Sequence, residues 1–187
     1  MRPITSLYLG GPDSFYPDAA QLRGRQRMLA EERGFSVLVP LPLGPSQDDH
    51  SELTARAQYA ERLARLRRAD AGIINLTPFR GPGADAGAAF EMGFLAGRSR
   101  PVMAWINLAD EMEAEYRERV DGWMGSRLDE TGVLRDGEDC EIEDFGLPEA
   151  ALLWAEARRL FVIVTDDPLS DLTGFEMCLD ALRLYAD

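Results

Sequence analysis

Lysine is missing from this chain, and all 20 of its basic residues are arginine. Without a lysine amine the protein cannot form a Schiff base with a carbonyl substrate or supply the lysine of a phosphate-binding loop. Histidine is nearly missing as well, because the sequence holds only His50, in a polar loop from Ser46 to Ser51. A solvated side chain is a better interpretation of His50 than a catalytic base, so catalytic triads are not favoured. By elimination, carboxylates are the reactive groups to consider.

Cysteine and long apolar runs are also scarce. Cys140 and Cys178 are too few and too isolated to form a disulfide scaffold or a cysteine metal site. No apolar stretch nears the length of a membrane span and no secretory pattern is found, so we expect a cytoplasmic protein without a membrane partner. A net charge of −13 argues against binding of nucleic acid, which requires a basic face to neutralise phosphates.

Short apolar segments alternate with helical patterns along the 187 residues, which suit one domain with a full core. Strands are predicted at Ile4–Leu9, Phe35–Val39, Ala71–Leu76, Pro101–Asn107 and Leu160–Thr165. Helices are predicted at Asp18–Arg33, Ser51–Arg68, Asp85–Arg98, Glu111–Met124, Pro148–Arg159 and Asp171–Tyr185. This alternation predicts an α/β fold, a single doubly wound domain with a five-stranded parallel sheet of flavodoxin-like or Rossmann-like type.

The most informative stretch runs from Asn75 to Gly97, where a strand leads through a loop rich in proline and glycine into a helix. Asp85 stands where the N-cap of that helix belongs, and Glu91 falls in its second turn. Helix side chains lean towards the N-terminus, so the Glu91 carboxylate is predicted to lie over Gly87 and Ala88 with nothing bulky above it. Two interpretations are open: a solvated surface glutamate, or a reactive carboxylate at the ligand-binding edge of the sheet.

Several segments of the chain match motifs of a known family. Tyr8 to Phe15 reads Tyr-Leu-Gly-Gly-Pro-Asp-Ser-Phe, and Thr77 to Gly81 reads Thr-Pro-Phe-Arg-Gly. Asp85 to Gly87 and Phe90 to Gly93 complete the central motif, while Glu143 to Leu147 gives a weaker match. In these segments the chain resembles the nucleoside 2-deoxyribosyltransferases. The resemblance spans roughly residues 4–180, nearly the whole chain, which implies one domain of that family.

The resemblance implies roles for individual residues. Glu91 is expected to attack the sugar carbon C1′ and form a covalent deoxyribosyl-enzyme, while Asp85 hydrogen-bonds the nucleobase and carries its proton. Tyr8 and Gly10 are expected to face the sugar and Glu91, with the Tyr8 hydroxyl hydrogen-bonded to Glu91. Phe15 is expected to stack against the base. Transfer between bases through two inversions retains the configuration at C1′.

Further substrate-binding positions follow from the same resemblance. Gly87 belongs to the motif that opens the helix, and Arg80 is expected to orient the catalytic aspartate or to line the base pocket. In many members an asparagine of a neighbouring subunit binds the sugar 5′-hydroxyl. This chain has Ala150 at that position. Glu149 is predicted to substitute for that asparagine. The implied reaction requires no metal and no cofactor.

The resemblance also implies the partners of the protein. They are nucleosides, free nucleobases and further copies of the same chain, because the apolar segment Pro148 to Trp154 is suited to burial between subunits in a homo-oligomer. Three hypotheses of function stay open. They are a deoxyribosyltransferase, an N-glycoside hydrolase acting on nucleosides or nucleotides, and a non-catalytic nucleotide-binding module of the same fold.

Three other segments have less specific interpretations. The arginines of Arg56 to Arg68 are predicted to form the basic outer face of an amphipathic helix. Among them Arg62 replaces an asparagine or aspartate of the family. Pro40 to His50 is either a wall of the site or an ordinary linker. Asp136 to Asp144 holds six acids in nine residues, and a solvated turn is favoured there over a metal site.

Overall fold

The protein forms a five-stranded parallel sheet with helices on both faces, as the sequence predicts. A computed structural model describes residues 3–38 and 51–186, so the segment Pro40 to His50 lies outside the described residues. In chain order the elements are β1 (Ser6–Gly10), α1 (Ala19–Glu32), β2 (Ser36–Leu38), α2 (Glu52–Arg68), β3 (Ala71–Asn75), α3 (Ala86–Ala96), β4 (Val102–Leu108), α4 (Tyr116–Met124), β5 (Ser126–Leu128), β6 (Leu134–Asp136), α5 (Ala151–Glu156), β7 (Arg159–Val164) and α6 (Thr173–Ala186).

The order of the strands determines where a ligand can bind. The sheet runs β2-β1-β3-β4-β7, and every neighbouring pair is parallel. The direction of winding reverses between β1 and β3, and open α/β sheets bind ligands at such a switch point, outside the carboxyl ends of the strands. The loops that leave β1 and β3 are therefore the expected walls of a site.

Successive side chains of β1 belong alternately to two apolar clusters of the core. Leu7 and Leu9 belong to the cluster that includes residues of α1 and α6, whereas Tyr8 belongs to the cluster that includes residues of α2 and α3. Because successive side chains of a strand point to opposite faces, this division follows from the strand period of two. It turns Tyr8 towards the helix that carries Glu91.

Local signals explain where several helices begin and end. Ser51 caps α2, since its hydroxyl accepts a hydrogen bond from the amide N–H of Thr54 at 3.2 Å. The chain leaves α1 through Gly34, which has a φ of 86° and so confirms the predicted stop. Glu115 and Glu118 form a capping box at the start of α4.

The C-terminal half departs most from the predicted elements. The predicted helix Glu111–Met124 is divided into a 3₁₀ turn (Glu111–Glu113) and α4, because the capping box starts a new helix. The antiparallel hairpin β5–β6 was not predicted, since its two strands have only three residues each. The helix predicted over Pro148–Arg159 is reduced to the six residues of α5, because the chain is already extended at Ala157 before β7.

Neither a membrane span nor a metal-binding cluster is found in the described part of the chain. Within residues 3–38 and 51–186, no helix is both long and apolar enough to cross a membrane. The same described residues contain no group of three or more His, Cys, Asp and Glu side chains placed to hold a metal ion. The acid-rich segment that begins at Asp136 forms the end of β6 and the exposed turns after it.

Candidate active site

The candidate site lies at the carboxyl ends of β1 and β3. The chain leaves β1 at Gly10 and enters a 3₁₀ turn (Pro12–Phe15), and it leaves β3 at Asn75 and enters the loop that precedes α3. This is the switch point of the strand order, where doubly wound sheets bind their ligands. The carboxylate of Glu91 on α3 is buried beneath these two loops.

The Glu91 carboxylate has two hydrogen-bond donors and one ion-pair partner from other parts of the chain. Its Oε1 accepts from the Tyr8 hydroxyl at 2.6 Å and pairs with Nη1 of Arg62 at 2.9 Å. Its Oε2 accepts only a longer bond, 3.2 Å, from the backbone N–H of Gly11. The predicted hydrogen bond between Tyr8 and Glu91 is therefore confirmed, and Oε2 is the more weakly held of the two oxygens.

The prediction that Glu91 lies on an open helix surface was wrong. Its side chain is only 2% exposed, and the space above Gly87 is occupied by other groups. A Cβ built on Gly87 would lie 2.7 Å from Asp85 Oδ2 and 3.8 Å from Nη1 of Arg62. The arginine of α2 therefore covers the gap that the glycine leaves. Its inward orientation also corrects the prediction that Arg62 belongs to a basic outer face.

Burial and hydrogen bonding act on the Glu91 pKa in opposite directions. Loss of water raises the pKa, because the carboxylate charge is less stable away from solvent, whereas Arg62, the Tyr8 hydroxyl and the Gly11 N–H lower it. Burial, followed by the neighbouring Glu91 charge, also raises the pKa of Tyr8. Tyr8 therefore stays protonated at neutral pH and donates its hydrogen bond.

Two successive glycines allow β1 to pass close to the carboxylate and to β3. A Cβ on Gly10 would collide with Oε2 of Glu91 and lie 2.6 Å from Cδ1 of Ile74. Gly11 has a φ of 117°, and a Cβ there would lie 2.6 Å from the backbone oxygen of Asn75. Both positions exclude larger residues. Gly10 thus faces Glu91, as the sequence predicts.

Asp85 is the N-cap of α3, which confirms the local prediction. Its Oδ2 accepts a hydrogen bond from the N–H of Ala88 at 3.2 Å, and the residue is half-buried. One oxygen therefore satisfies an N–H of the first turn of the helix, where the macrodipole also favours a carboxylate. The remaining hydrogen-bonding capacity of Asp85 is available to a ligand at the same end of the helix.

Three side chains at the entrance form a stack. The rings of Phe15 and Phe79 are 5.5 Å apart and inclined by 18°. The Arg80 guanidinium lies 4.6 Å from the centre of the Phe79 ring and 5.1 Å from that of Phe15. Arg80 thus packs against both rings, and its two expected roles, orienting Asp85 or lining the base pocket, stay predictions. Phe15 remains 41% exposed, so its ring is accessible to a ligand.

A buried aspartate beside the site was not predicted. Asp13 is fully buried and accepts hydrogen bonds from Gln26 at 2.7 Å and from the Asn75 amide at 2.5 Å, and Arg23 lies 3.6 Å away. The Asn75 side chain in turn accepts from the N–H of Thr77 at 2.9 Å. These bonds join the 3₁₀ turn after β1 to the loop after β3. A signal was present, since Asp13 lies inside the matched motif.

The structure places Glu149 inside its own chain rather than on a surface that faces a neighbouring subunit. Its side chain is 2% exposed, pairs with Arg119 at 3.4 Å and accepts from the N–H of Ala150 at 3.0 Å. Arg119 also donates to the carbonyl oxygens of Pro82, at 2.7 Å, and Pro148, at 2.7 Å. Glu149 therefore stabilises the loop before α3, and this placement corrects the prediction that it substitutes for the family asparagine.

A groove is lined in part by the loop that contains Pro82. Its volume is about 750 Å³, and its walls include Pro82, Met112, Arg119 and Trp123. Among the described residues that line it, Glu91 and Asp85 are not found. We therefore locate the chemistry at the strand edge, where the buried carboxylate lies, and not in this groove.

Comparison with known proteins agrees with this geometry. The sequence profile of the family described as Nucleoside 2-deoxyribosyltransferase matches residues 7–152. An uncharacterized protein of Schizosaccharomyces pombe is 27% identical over 128 residues, which cover 64% of this chain and 59% of that protein. The chain thus spans less than two thirds of the length of this relative.

Two solved structures are among the matches. A 2-desoxiribosyltransferase from Leishmania mexicana matches with a TM-score of 0.62 and 22% identity, covering 94% of this chain and 97% of the other. A 2-deoxyribosyltransferase from Bacillus psychrosaccharolyticus matches with a TM-score of 0.45 and 18% identity, covering 78% of this chain and 96% of the other. The first match supports the fold, and the profile match covers most of the chain. This chain is therefore a member of the nucleoside 2-deoxyribosyltransferase family.

Proposed function

We propose that this protein transfers the 2-deoxyribosyl group of a nucleoside from one nucleobase to another, with Glu91 as the nucleophile. The observation that carries the proposal is the Glu91 carboxylate at the strand edge, which has a hydrogen bond and an ion pair on Oε1 and a single longer hydrogen bond on Oε2. A carboxylate fixed by one oxygen retains the other for attack on a sugar carbon. The chemistry also fits the family to which the chain belongs.

In the first step, Oε2 of Glu91 forms a bond to C1′ while the bond between C1′ and the base nitrogen breaks. The electron pair of the broken bond stays with the base, which receives a proton or hydrogen bond from the carboxyl group of Asp85. The transition state resembles an oxocarbenium ion, and the Glu91 anion beneath C1′ stabilises it.

In the second step, a different base attacks C1′ from the face that the first base has left. The bond between C1′ and Oε2 breaks, its electron pair returns to Glu91, and the proton of the incoming base returns to Asp85. Two inversions retain the original configuration. Tyr8 holds Oε1 throughout, and Phe15 provides an aromatic surface that several bases can share.

The runner-up is an N-glycoside hydrolase, in which water takes the place of the second base. Two observations favour it: Ala150 stands where the family asparagine binds the sugar, and the cationic Arg62 lies beside Glu91. Because Glu149 is engaged with Arg119, it does not repel an anionic 5′-phosphate as an exposed acid would. The third alternative, a non-catalytic nucleotide-binding module, would give no role to the weakly held oxygen of Glu91.

One assay separates these three functions. The protein is incubated with deoxyinosine, with and without free adenine, and the products are separated by chromatography. Formation of deoxyadenosine supports the transferase, and free sugar plus hypoxanthine without deoxyadenosine indicates the hydrolase. Unchanged deoxyinosine that still binds indicates the module. The same assay with deoxyadenosine and its 5′-monophosphate tests the nucleoside assignment, which faster cleavage of the monophosphate would overturn.

We also propose that the active protein is a homo-oligomer. Leu152 and Trp154 of α5 are 85% and 44% exposed, and Phe90 on the adjacent helix α3 is 48% exposed. Exposed apolar side chains on two neighbouring helices are available for a contact between subunits. Light scattering at micromolar concentration should give at least a dimer, and a monomer would exclude a site shared between subunits.

A further inference from the structure

Arg62 is the feature of the site that neither the sequence pattern nor the proposed chemistry explains. It lies on α2 with its side chain 18% exposed, and its Nη1 is 2.9 Å from Oε1 of Glu91. Other arginines of this helix form pairs within the helix itself, as Arg56 does with Glu52 and Arg65 with Glu61. Arg62 instead brings its charge to a carboxylate of another helix.

The surroundings of Glu91 show why a cation is required there. Tyr8 from β1 and the N–H of Gly11 are neutral donors. Arg23 from α1 pairs with the buried Asp13 and lowers the pKa of Glu91 less than Arg62 does. Asp85 lies near Arg62 across Gly87 and is a second acidic residue at the same end of α3. A buried carboxylate with only neutral donors would tend to take up a proton and lose its nucleophilic form.

We propose that Arg62 is a positioning residue that keeps Glu91 ionised and holds its Oε1, so that Oε2 is the oxygen that attacks C1′. This inference rests on the proposed function of Glu91. It concerns a residue in which the chain departs from the family pattern. The direction of the electrostatic effect agrees with the geometry, since the Arg62 guanidinium lowers the pKa of Glu91 against the larger effect of burial.

The test compares Arg62→Gln and Arg62→Lys with the wild type. Removing the guanidinium should raise the Glu91 pKa, so the acidic limb of the kcat/KM profile for deoxyinosine should move to higher pH, by about 1–3 pH units. Arg62→Lys should return the limb most of the way to its wild-type position, since it restores the charge. Arg56→Gln is the matched control, because it removes an exposed arginine from the same helix and should leave the profile unchanged.

A second measurement does not depend on turnover. Infrared titration of the carboxyl C=O band, assigned to Glu91 through its loss in Glu91→Gln, should show the same upward shift in Arg62→Gln. Arg62→Met provides a second neutral variant if Arg62→Gln does not fold. Equal loss of activity at every pH with an unmoved Glu91 band would overturn the role of Arg62. A shifted band in a protein that cleaves no nucleoside would instead overturn the proposed function.

Discussion

Two buried glutamate–arginine pairs lie close to the loop between β3 and α3, and they differ in how their hydrogen bonds are used. In one pair, Glu91 and Arg62 have side chains that are 2% and 18% exposed. In the other, Glu149 and Arg119 are 2% and 4% exposed. Burial raises the pKa of both glutamates. Burial and charge therefore do not distinguish the two pairs.

The partners of each pair do distinguish them. Arg119 donates hydrogen bonds to the backbone carbonyls of Pro82, Glu113 and Pro148. These bonds join distant segments of the chain. Glu91 is held mainly by two side chains on one oxygen, and its other oxygen has a single long bond. We conclude that the Glu149–Arg119 pair stabilises the loop, whereas the Glu91–Arg62 pair leaves one carboxylate oxygen weakly held.

The largest effect is expected from Glu91→Gln, which keeps the shape of the side chain but removes the nucleophile. Base exchange should fall more than about 10³-fold. Folding should persist, because the amide oxygen can still accept bonds from Tyr8 and Arg62. Glu61→Gln, at an exposed glutamate of α2, is the control and should retain full exchange. Exchange by Glu91→Gln above a few per cent of the wild-type rate would remove Glu91 from the mechanism.

Arg119→Ala tests the structural role of the other pair, Glu149 and Arg119. It leaves Glu149 without its buried partner and frees three carbonyls, so the free energy of unfolding should fall by about 3–5 kcal/mol. Urea denaturation measures this change. Arg117→Ala removes an arginine that is 40% exposed and paired with Glu115, and it should change the stability far less, because solvent screens exposed ion pairs. Similar losses in both variants would contradict the structural role of the buried pair.

Gly10→Ala is expected to affect the site more than the fold. The added methyl would displace Oε2 of Glu91, and overpacking of this kind costs about 1–3 kcal/mol of stability. Exchange activity measured well below the melting transition should fall at least about tenfold, since small displacements at reacting groups are costly. Gly93→Ala is the control, because nothing lies within 4 Å of the new methyl and alanine favours a helix. Unchanged exchange in Gly10→Ala would show that the position of Oε2 is not critical.

The smallest change in stability is expected from Asp85→Asn. Asparagine is as good an N-cap as aspartate, so the melting temperature should hardly change, whereas Asp85→Ala should lose about 1 kcal/mol. Exchange by Asp85→Asn should fall to an extent that depends on the base, because the amide can hydrogen-bond a base but cannot carry its proton. Assays with a purine and a pyrimidine donor measure the difference. Equal losses for both, together with lower stability, would identify Asp85 as a structural cap alone.

The sequence predicted those features that depend on local pattern. The position of Asp85 before the helix predicts its cap, while the contact between Tyr8 and Glu91 was implied by the family resemblance. The parallel sheet follows from the alternation of strands and helices, because only crossover connections join parallel neighbours.

Features that depend on contacts between distant segments were missed. The helical period of Ser51–Arg68 cannot tell that Arg62 is directed at Glu91 on another helix, since an arginine on a polar face and one that enters a site have the same local pattern. Arg119 likewise forms hydrogen bonds with residues up to 37 positions away in the sequence. For the same reason the sequence does not show that Glu149 is buried, as it is in the structure.

The most direct test of the central claim is to locate the covalent intermediate. The wild-type protein is mixed with deoxyinosine in the absence of an acceptor base and quenched rapidly, and its peptides are analysed by mass spectrometry. We predict the mass of one deoxyribosyl group on the peptide that contains Glu91, and its loss with formation of deoxyadenosine when adenine is added before the quench. A deoxyribosyl group on any other residue, or steady turnover with Glu91 unmodified at every quench time, would contradict the account.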